Sequence, residues 1–267
     1  MSFDKEVTKD TLRVLYRMRK LDWNAVKGET MTDILTIKKE SIKVILWDVD
    51  GTLLDFKKAE YAAIKKCFEI FNLGECTDEM IGRYSILNRK YWEKLERKEI
   101  TKQEVLVNRF VEFFATENIQ TDCAVEFNKE YQKWLGETIC FCDNSYELVK
   151  SLKGRVKQYA VTNGTKAAQD RKLSKSGLID IFDGVFISEV VGCEKPGIEF
   201  FEHVWKQIGS YQKDEIMIVG DSLTSDMQGG NNAGIICCWY NPKDMKNDIN
   251  LRIDYEIDDL QKVEGIL

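Results

Sequence analysis

The chain has 267 residues, of which 43% are hydrophobic and 31% charged, and its formal net charge is −6; this is a globular composition, and the acidic balance argues against a general binder of nucleic-acid polymers. No apolar run approaches the roughly 18 residues that cross a membrane, and the first residues, with Asp4, Glu6 and Asp10, resemble neither a secretory signal nor a transit peptide. The eight cysteines are scattered without a CxxC pair and His203 is the only histidine, so zinc sites and histidine-based nucleophile pairs are disfavoured, and reduced thiols in a cytoplasmic protein are the expectation.

Residues 1–40 are expected to form an N-terminal extension, with Leu12, Leu15, Met18, Val14 and Leu21 along one face of a short helix. Residues 42–47 (IKVILW) are a β-branched apolar run, which predicts a fully buried strand ending at Asp48. From about 57 to 137 the pattern is helical and contains no proline. Tyr61, Ile64, Phe68 and Phe71 keep helical spacing there, Thr101 and Glu104 form a capping box before VLVNRFVEFF, and residues 122–135 predict a further helix.

After residue 144 helices and strands alternate. Asn144 is expected to cap the helix SYELVKSLKG, followed by strand VKQYAVT and a turn at Asn163–Gly164. Helix KAAQDRKLSKS stops at Gly177, strand GVFIS follows, and Lys195–Pro196 opens helix IEFFEHVWKQI, which holds His203 at a boundary position and ends at Gly209. Strand EIMIVG runs into Asp221, a helix stops at Gly234, and strand IICCWYN and a short strand in DYEID complete the series. Strands separated by helices predict a parallel sheet covered on both faces, with ligands bound beyond the carboxyl ends of its strands.

Those ends carry an unusual set. The first strand leads into Asp48-Val49-Asp50-Gly51-Thr52, the second into Thr162-Asn163-Gly164, the third into the connection bearing Lys195, and the fourth into Gly220-Asp221-Ser222 followed by Asp226. Carboxylates and carbonyls are the hard ligands that Mg²⁺ prefers. Thr162, the N–H groups of the Asn163–Gly164 turn and Lys195 suit phosphoryl oxygens, so Mg²⁺ and a small phosphorylated substrate are the expected ligands.

The four motifs resemble those of the haloacid dehalogenase superfamily. The resemblance implies an α/β fold with a Rossmann-like parallel-sheet core, residues 41–56 and 138–267, and an inserted all-helical cap at 57–137. It also implies that Asp48 is a nucleophile forming an aspartyl-phosphate and that Asp50 is the acid–base residue. Thr162, Asn163 and Lys195 bind phosphate, while Asp48, the Asp50 carbonyl and Asp221 hold Mg²⁺. Gly51 allows the tight turn and Asp226 supports the site. Dehalogenases of the superfamily lack an acid at the Asp50 position, which favours phosphoryl transfer here.

The segments VFISEVVGCEKPGIEFFEHV, GDSLTSDMQGGNNAGIICCWYNP and NRKYWEKLERKEITKQEVLVNRF look like those of YjjG-type pyrimidine 5′-nucleotidases. That group implies a nucleoside monophosphate as substrate, with Asn88, Trp92 and Arg109 as candidate contacts in the cap. The nucleophile of that group lies near the N-terminus, so either Met31 is the true start or residues 1–40 are an accessory segment. The long interval between Asp50 and Thr162 leaves room for the cap, and the short one between Thr162 and Lys195 leaves none for a second. The alternatives are a sugar-phosphate or phosphoglycolate phosphatase, a phosphoglucomutase relative, and, more remotely, a non-enzymatic scaffold.

Overall fold

The structure is a computed structural model and describes residues 42–267; the expectations for residues 1–40 lie outside it. Its centre is a sheet of six strands, β1 Val44–Trp47, β2 Lys157–Thr162, β3 Gly184–Ile187, β4 Ile216–Gly220, β5 Ile236–Tyr240 and β6 Tyr255–Ile257. They pair in the order β3-β2-β1-β4-β5-β6, and every pair is parallel. β1 is central, with Val44 opposite Lys157 on one side and Ile216 on the other.

The apolar run of β1 follows from that position. Successive side chains point to opposite faces of a strand. Ile45 and Trp47 enter one core with Leu148, Val149 and Leu173, whereas Val44 and Leu46 enter the other with Phe200, Phe201 and Val204. A strand buried on both faces has no position for a polar residue, so its first carboxylate, Asp48, falls where the strand stops.

Between β1 and β2 the chain leaves the sheet through four helices, α1 Phe56–Phe71, α2 Asp78–Glu96, α3 Lys102–Thr116 and α4 Ala124–Leu135. They enclose an aromatic core in which Phe110, fully buried, stacks on Tyr84 at 5.2 Å and meets Phe127, Tyr131 and Phe114. The Thr101–Glu104 capping box is formed at the start of α3. On α1 the buried face is Ala59, Ala63, Ile64, Cys67 and Phe68, with Glu60. Tyr61 is not on it: the ring is 39% exposed and its hydroxyl bonds Asp78. The outgoing and returning chains run side by side, with Asp55 N–H donating to the Cys140 carbonyl at 2.8 Å and Cys142 N–H to that of Leu53 at 3.0 Å.

The remaining helices alternate with the strands: α5 Ser145–Ser151, α6 Lys166–Ser176, α7 Ser188–Val191, α8 Ile198–Ile208, α9 Gln228–Ala233 and α10 Val263–Ile266. Gly177, Gly209 and Gly234 close α6, α8 and α9 as expected. Asn144 precedes α5 but does not cap it. Its backbone is left-handed, φ 54°, and its side chain makes no capping bond; the side-chain capping geometry needs an extended backbone instead. After β4, Leu223–Met227 forms a π-turn, with the Ser222 hydroxyl accepting from Ser225 N–H. All eight cysteines are free, and no helix of the described residues is long and apolar enough to cross a membrane.

Candidate active site

The carboxyl edge of the sheet and the helical bundle bound a cavity of about 170 Å³. Asp48, Asp50, Thr162, Asn163, Lys195, Asp221 and Asp226 line it from the sheet side, and Trp92, Glu96, Arg109 and Gln132 from the bundle. Residues far apart in the sequence meet here because parallel strands all end on the same edge.

Lys195 is the hub. Its ammonium is 1% exposed and donates to Asp48 Oδ1 at 2.8 Å, Asp226 Oδ1 at 2.6 Å and the Val161 carbonyl at 2.8 Å. An ammonium has three protons, and all are engaged. As placed, Lys195 holds two aspartates together, and a phosphoryl oxygen would have to share one of these donors. Burial works against the Lys195 cation, but the charges of Asp226 and Asp48 outweigh it and raise its pKa. Asp48 is held above the ordinary carboxylate range by burial first and by the charge of Asp226 second, with Lys195 pulling the other way.

Thr52, fully buried, donates toward Asp48 Oδ2 at 3.2 Å and lies 3.4 Å from Asp221 Oδ1. Asp221 opens onto the cavity, yet the protein packed round its carboxylate, and then Asp226, push its pKa up to about 7. Gly51 explains how the loop fits. Its φ is +98°, and a Cβ there would lie 2.6 Å from Asp221 Oδ2, so both conformation and space demand glycine.

Asp48, Asp221 and Asp226 each offer an oxygen within 4.8 Å of the others. Both oxygens of Asp226 already have donors, Lys195 on Oδ1 and Ser222 N–H on Oδ2 at 3.1 Å. Asp226 is therefore the anchor of Lys195; Asp48 also accepts on both oxygens, from Lys195 and, over 3.2 Å, from Thr52, while Asp221 accepts from Thr52 alone. Counting Asp50 and Glu96, the site holds five carboxylates against three buried cations, Lys195, Lys172 and Arg109, an excess of two. A divalent cation matches that excess, and an all-oxygen donor set suits a hard one.

The hydroxyl of Thr162 accepts from Gly164 N–H at 3.0 Å, which leaves its own proton free to donate. The Asn163 side chain is fully engaged within the protein. Its Oδ1 accepts from Lys195 N–H at 2.9 Å, and its amide donates to the Lys195 carbonyl at 2.8 Å and Ser225 Oγ at 3.2 Å. The side chain secures the Lys195 backbone, and only the Asn163 main chain is available to a ligand.

On the bundle side, Arg109 is 1% exposed and its guanidinium lies 4.8 Å from the Phe110 ring centroid and 5.1 Å from that of Tyr131. It donates to Asn88 Oδ1 at 2.7 Å and Asn128 Oδ1 at 3.0 Å. Asn88 does not border the cavity; it donates in turn to Glu60 at 2.9 Å and positions Arg109. Asn128 accepts from Gln132 at 3.2 Å, and Gln132 accepts from Thr165 Oγ1 at 2.7 Å. One polar chain thus runs from inside the bundle to the start of α6. Trp92 borders the cavity.

Lining or supporting residues that were not singled out from the sequence include Thr52, Glu96, Gln132, Gln169 and Lys172. Glu96 reaches in from the end of α2, and burial pushes its pKa up to about 7. Gln169 and Lys172 fall on the buried face of α6 beside Ala168 and Leu173. Two polar residues in phase with an apolar face were the available signal.

The parallel sheet thus concentrates carboxylates at its carboxyl edge and partly neutralises them with buried lysines. The chain belongs to the haloacid dehalogenase-like hydrolases, whose family model matches residues 42–234. It is 35% identical over 226 residues to the HAD-hydrolase YfnB of Bacillus subtilis, covering 84% of this chain and 95% of that protein. The crystal structure of YfnB bound to magnesium superposes with a TM-score of 0.80 at 34% identity, over 85% of this chain and 98% of that one. The chain is also 36% identical over 216 residues to the pyrimidine 5′-nucleotidase PynA of Streptococcus pneumoniae, covering 80% of this chain and 90% of that protein. To the pyrimidine 5′-nucleotidase YjjG of Escherichia coli it is 26% identical over 223 residues, covering 84% and 96%.

Proposed function

We propose that the protein is a Mg²⁺-dependent phosphomonoesterase that works through an aspartyl-phosphate on Asp48, and that its substrates are (deoxy)pyrimidine nucleoside monophosphates. The observation that carries the chemistry is Asp48 itself. It is a buried carboxylate at a strand end, fixed through Oδ1 by Lys195 and through Oδ2 by Thr52, facing a cavity with a second carboxylate, Asp50, two residues on. The substrate class is supported by similarity to PynA and YjjG.

The chain's own residues then act as follows. An Asp48 oxygen attacks phosphorus and the ester P–O bond breaks. The proton of the Asp50 carboxyl passes to the leaving oxygen, and the nucleoside departs. Water next attacks the phosphorus of the acyl phosphate and gives its proton to Asp50. The bond to Asp48 breaks, inorganic phosphate leaves, and both aspartates return to their starting states. The Thr162 hydroxyl and the Asn163 main-chain N–H donate to the non-bridging oxygens.

Asp48, the Asp50 carbonyl and Asp221 would hold Mg²⁺, which when bound supplies positive charge to the phosphoryl group. The helical bundle acts as the cap over the site. Trp92 and Arg109 offer the nucleoside an aromatic face and a donor, and closure excludes bulk water.

The test is phosphate release from UMP, dUMP and dTMP beside phosphoglycolate and hexose phosphates. The expected result is a pyrimidine preference, lost in Asp48→Asn and in EDTA. Turnover by purified Asp48→Asn would refute the mechanism, and a preference for phosphoglycolate or hexose phosphates would refute the substrate class alone.

A further inference from the structure

Two residues that no motif singles out, Gln169 and Lys172, lie one turn apart on α6 and reach the same carboxylate. Gln169 Nε2 donates to Asp50 Oδ2 at 2.6 Å, and Lys172 pairs with Asp50 Oδ1. Gln169 is fully buried and Lys172 is 1% exposed. A buried ammonium is costly without a dedicated partner. An apolar residue beside Ala168 and Leu173 would pack there without that cost. The ammonium also lies 5.4 Å from the centroid of the Phe56 ring. The Gly164 backbone also lies close to this side chain: a Cβ on Gly164 would crowd Gln169 Nε2 and, at 3.0 Å, its Cγ. Lys195 cannot take over this duty, because its protons go to Asp48, Asp226 and Val161.

We propose that Gln169 and Lys172 are the positioning residues of Asp50. They fix its carboxyl at the edge of the cavity, and the Lys172 charge stabilises the carboxylate that remains once the proton has left. The inference rests on Asp50 being the acid–base group of the proposed reaction. A proton donor works only within reach of its acceptor, and a fixed charge beside the place where charge develops stabilises the transition state without reorganising. In the first step the proton moves from Asp50 to the ester oxygen as the P–O bond breaks. Lys172 keeps all its protons, and no bond to it forms or breaks.

The experiment compares kcat/KM for UMP, whose alkoxide leaving group needs a proton, with that for p-nitrophenyl phosphate, whose phenolate leaves without one. The enzymes are wild type, Lys172→Met, Lys172→Arg, Gln169→Leu and Asp50→Asn, all with Mg²⁺. Lys172→Met is expected to lose about tenfold or more on UMP beyond its loss on p-nitrophenyl phosphate, part of the ~10²–10⁴ that general acid catalysis supplies. Lys172→Arg should recover most of that difference, and Gln169→Leu should show a smaller bias of the same sign. Equal losses on both substrates, or a raised KM with unchanged kcat, would overturn the inference. If Lys172→Met does not fold, the bias in Gln169→Leu decides. A bias in Asp50→Asn without one in the Lys172 and Gln169 variants would overturn this inference alone. No bias in Asp50→Asn would overturn it together with the acid–base reading of Asp50.

Discussion

Lys195→Met tests the electrostatic design of the site. Methionine fills much of the same space but leaves Asp48 and Asp226 facing each other without a cation. Both are buried, at 7% and 1% exposure, and each accepts from the ammonium at under 3 Å. Removing one partner of a buried ionic cluster costs about 3–5 kcal/mol, which for a chain of this size is on the order of 10 °C in Tm.

The loss depends on pH. In EDTA, Asp48 already sits above the ordinary carboxylate range, through burial and the charge of Asp226, and losing Lys195 raises it further. A carboxylate raised in the folded state carries no penalty below its unfolded pKa and an increasing one as pH climbs toward the folded value. The Lys195 cation is itself raised in the folded state, so wild type keeps its contribution throughout the acidic and neutral range. The variant's deficit should therefore be small at pH 5 and large at pH 8, read as urea midpoints of both proteins in EDTA. A deficit independent of pH, or none at pH 8, would refute the reasoning.

Gly51→Ala should be damaging despite its size, because it combines φ +98° with a Cβ 2.6 Å from Asp221 Oδ2; a destabilisation of about 1–3 kcal/mol and a loss of phosphate release are expected, by thermal unfolding and a release assay. Phe110→Ala should cost about 3–5 kcal/mol in urea, since Phe110 is fully buried at the centre of the bundle's aromatic cluster. Arg109→Leu and Asn88→Ala should be coupled through their 2.7 Å hydrogen bond, with an interaction energy of about 0.5–3 kcal/mol in a double-mutant cycle; simple additivity would contradict Asn88 as the support of Arg109. Thr101→Ala removes the capping box of α3 and should cost about 1 kcal/mol, measured by the same urea titration.

The order of strands and helices after residue 144, the buried character of β1 and the glycine stops of the helices were legible because each is a local pattern. Strand β1 reads as unbroken apolar residues because both faces are covered, and the four motifs follow one another at strand ends. A parallel sheet carries all such ends to one edge, so the cavity residues Asp48, Asp50, Thr162, Lys195 and Asp221 could be named in advance.

Their partners could not. Gln169 and Lys172 meet Asp50 across 119 and 122 positions of chain, and neither residue type nor spacing announces such a pairing. The roles of Asn163 and Asn88 as supports of Lys195 and Arg109 also emerge only once the donors and acceptors around each amide are placed. Sequence determines which functional groups stand at the strand ends, because strand periodicity and turn chemistry are written in neighbouring residues. The tertiary structure decides which group holds which, because burial makes every unpaired charge and amide costly and only packing determines who is near enough to pair.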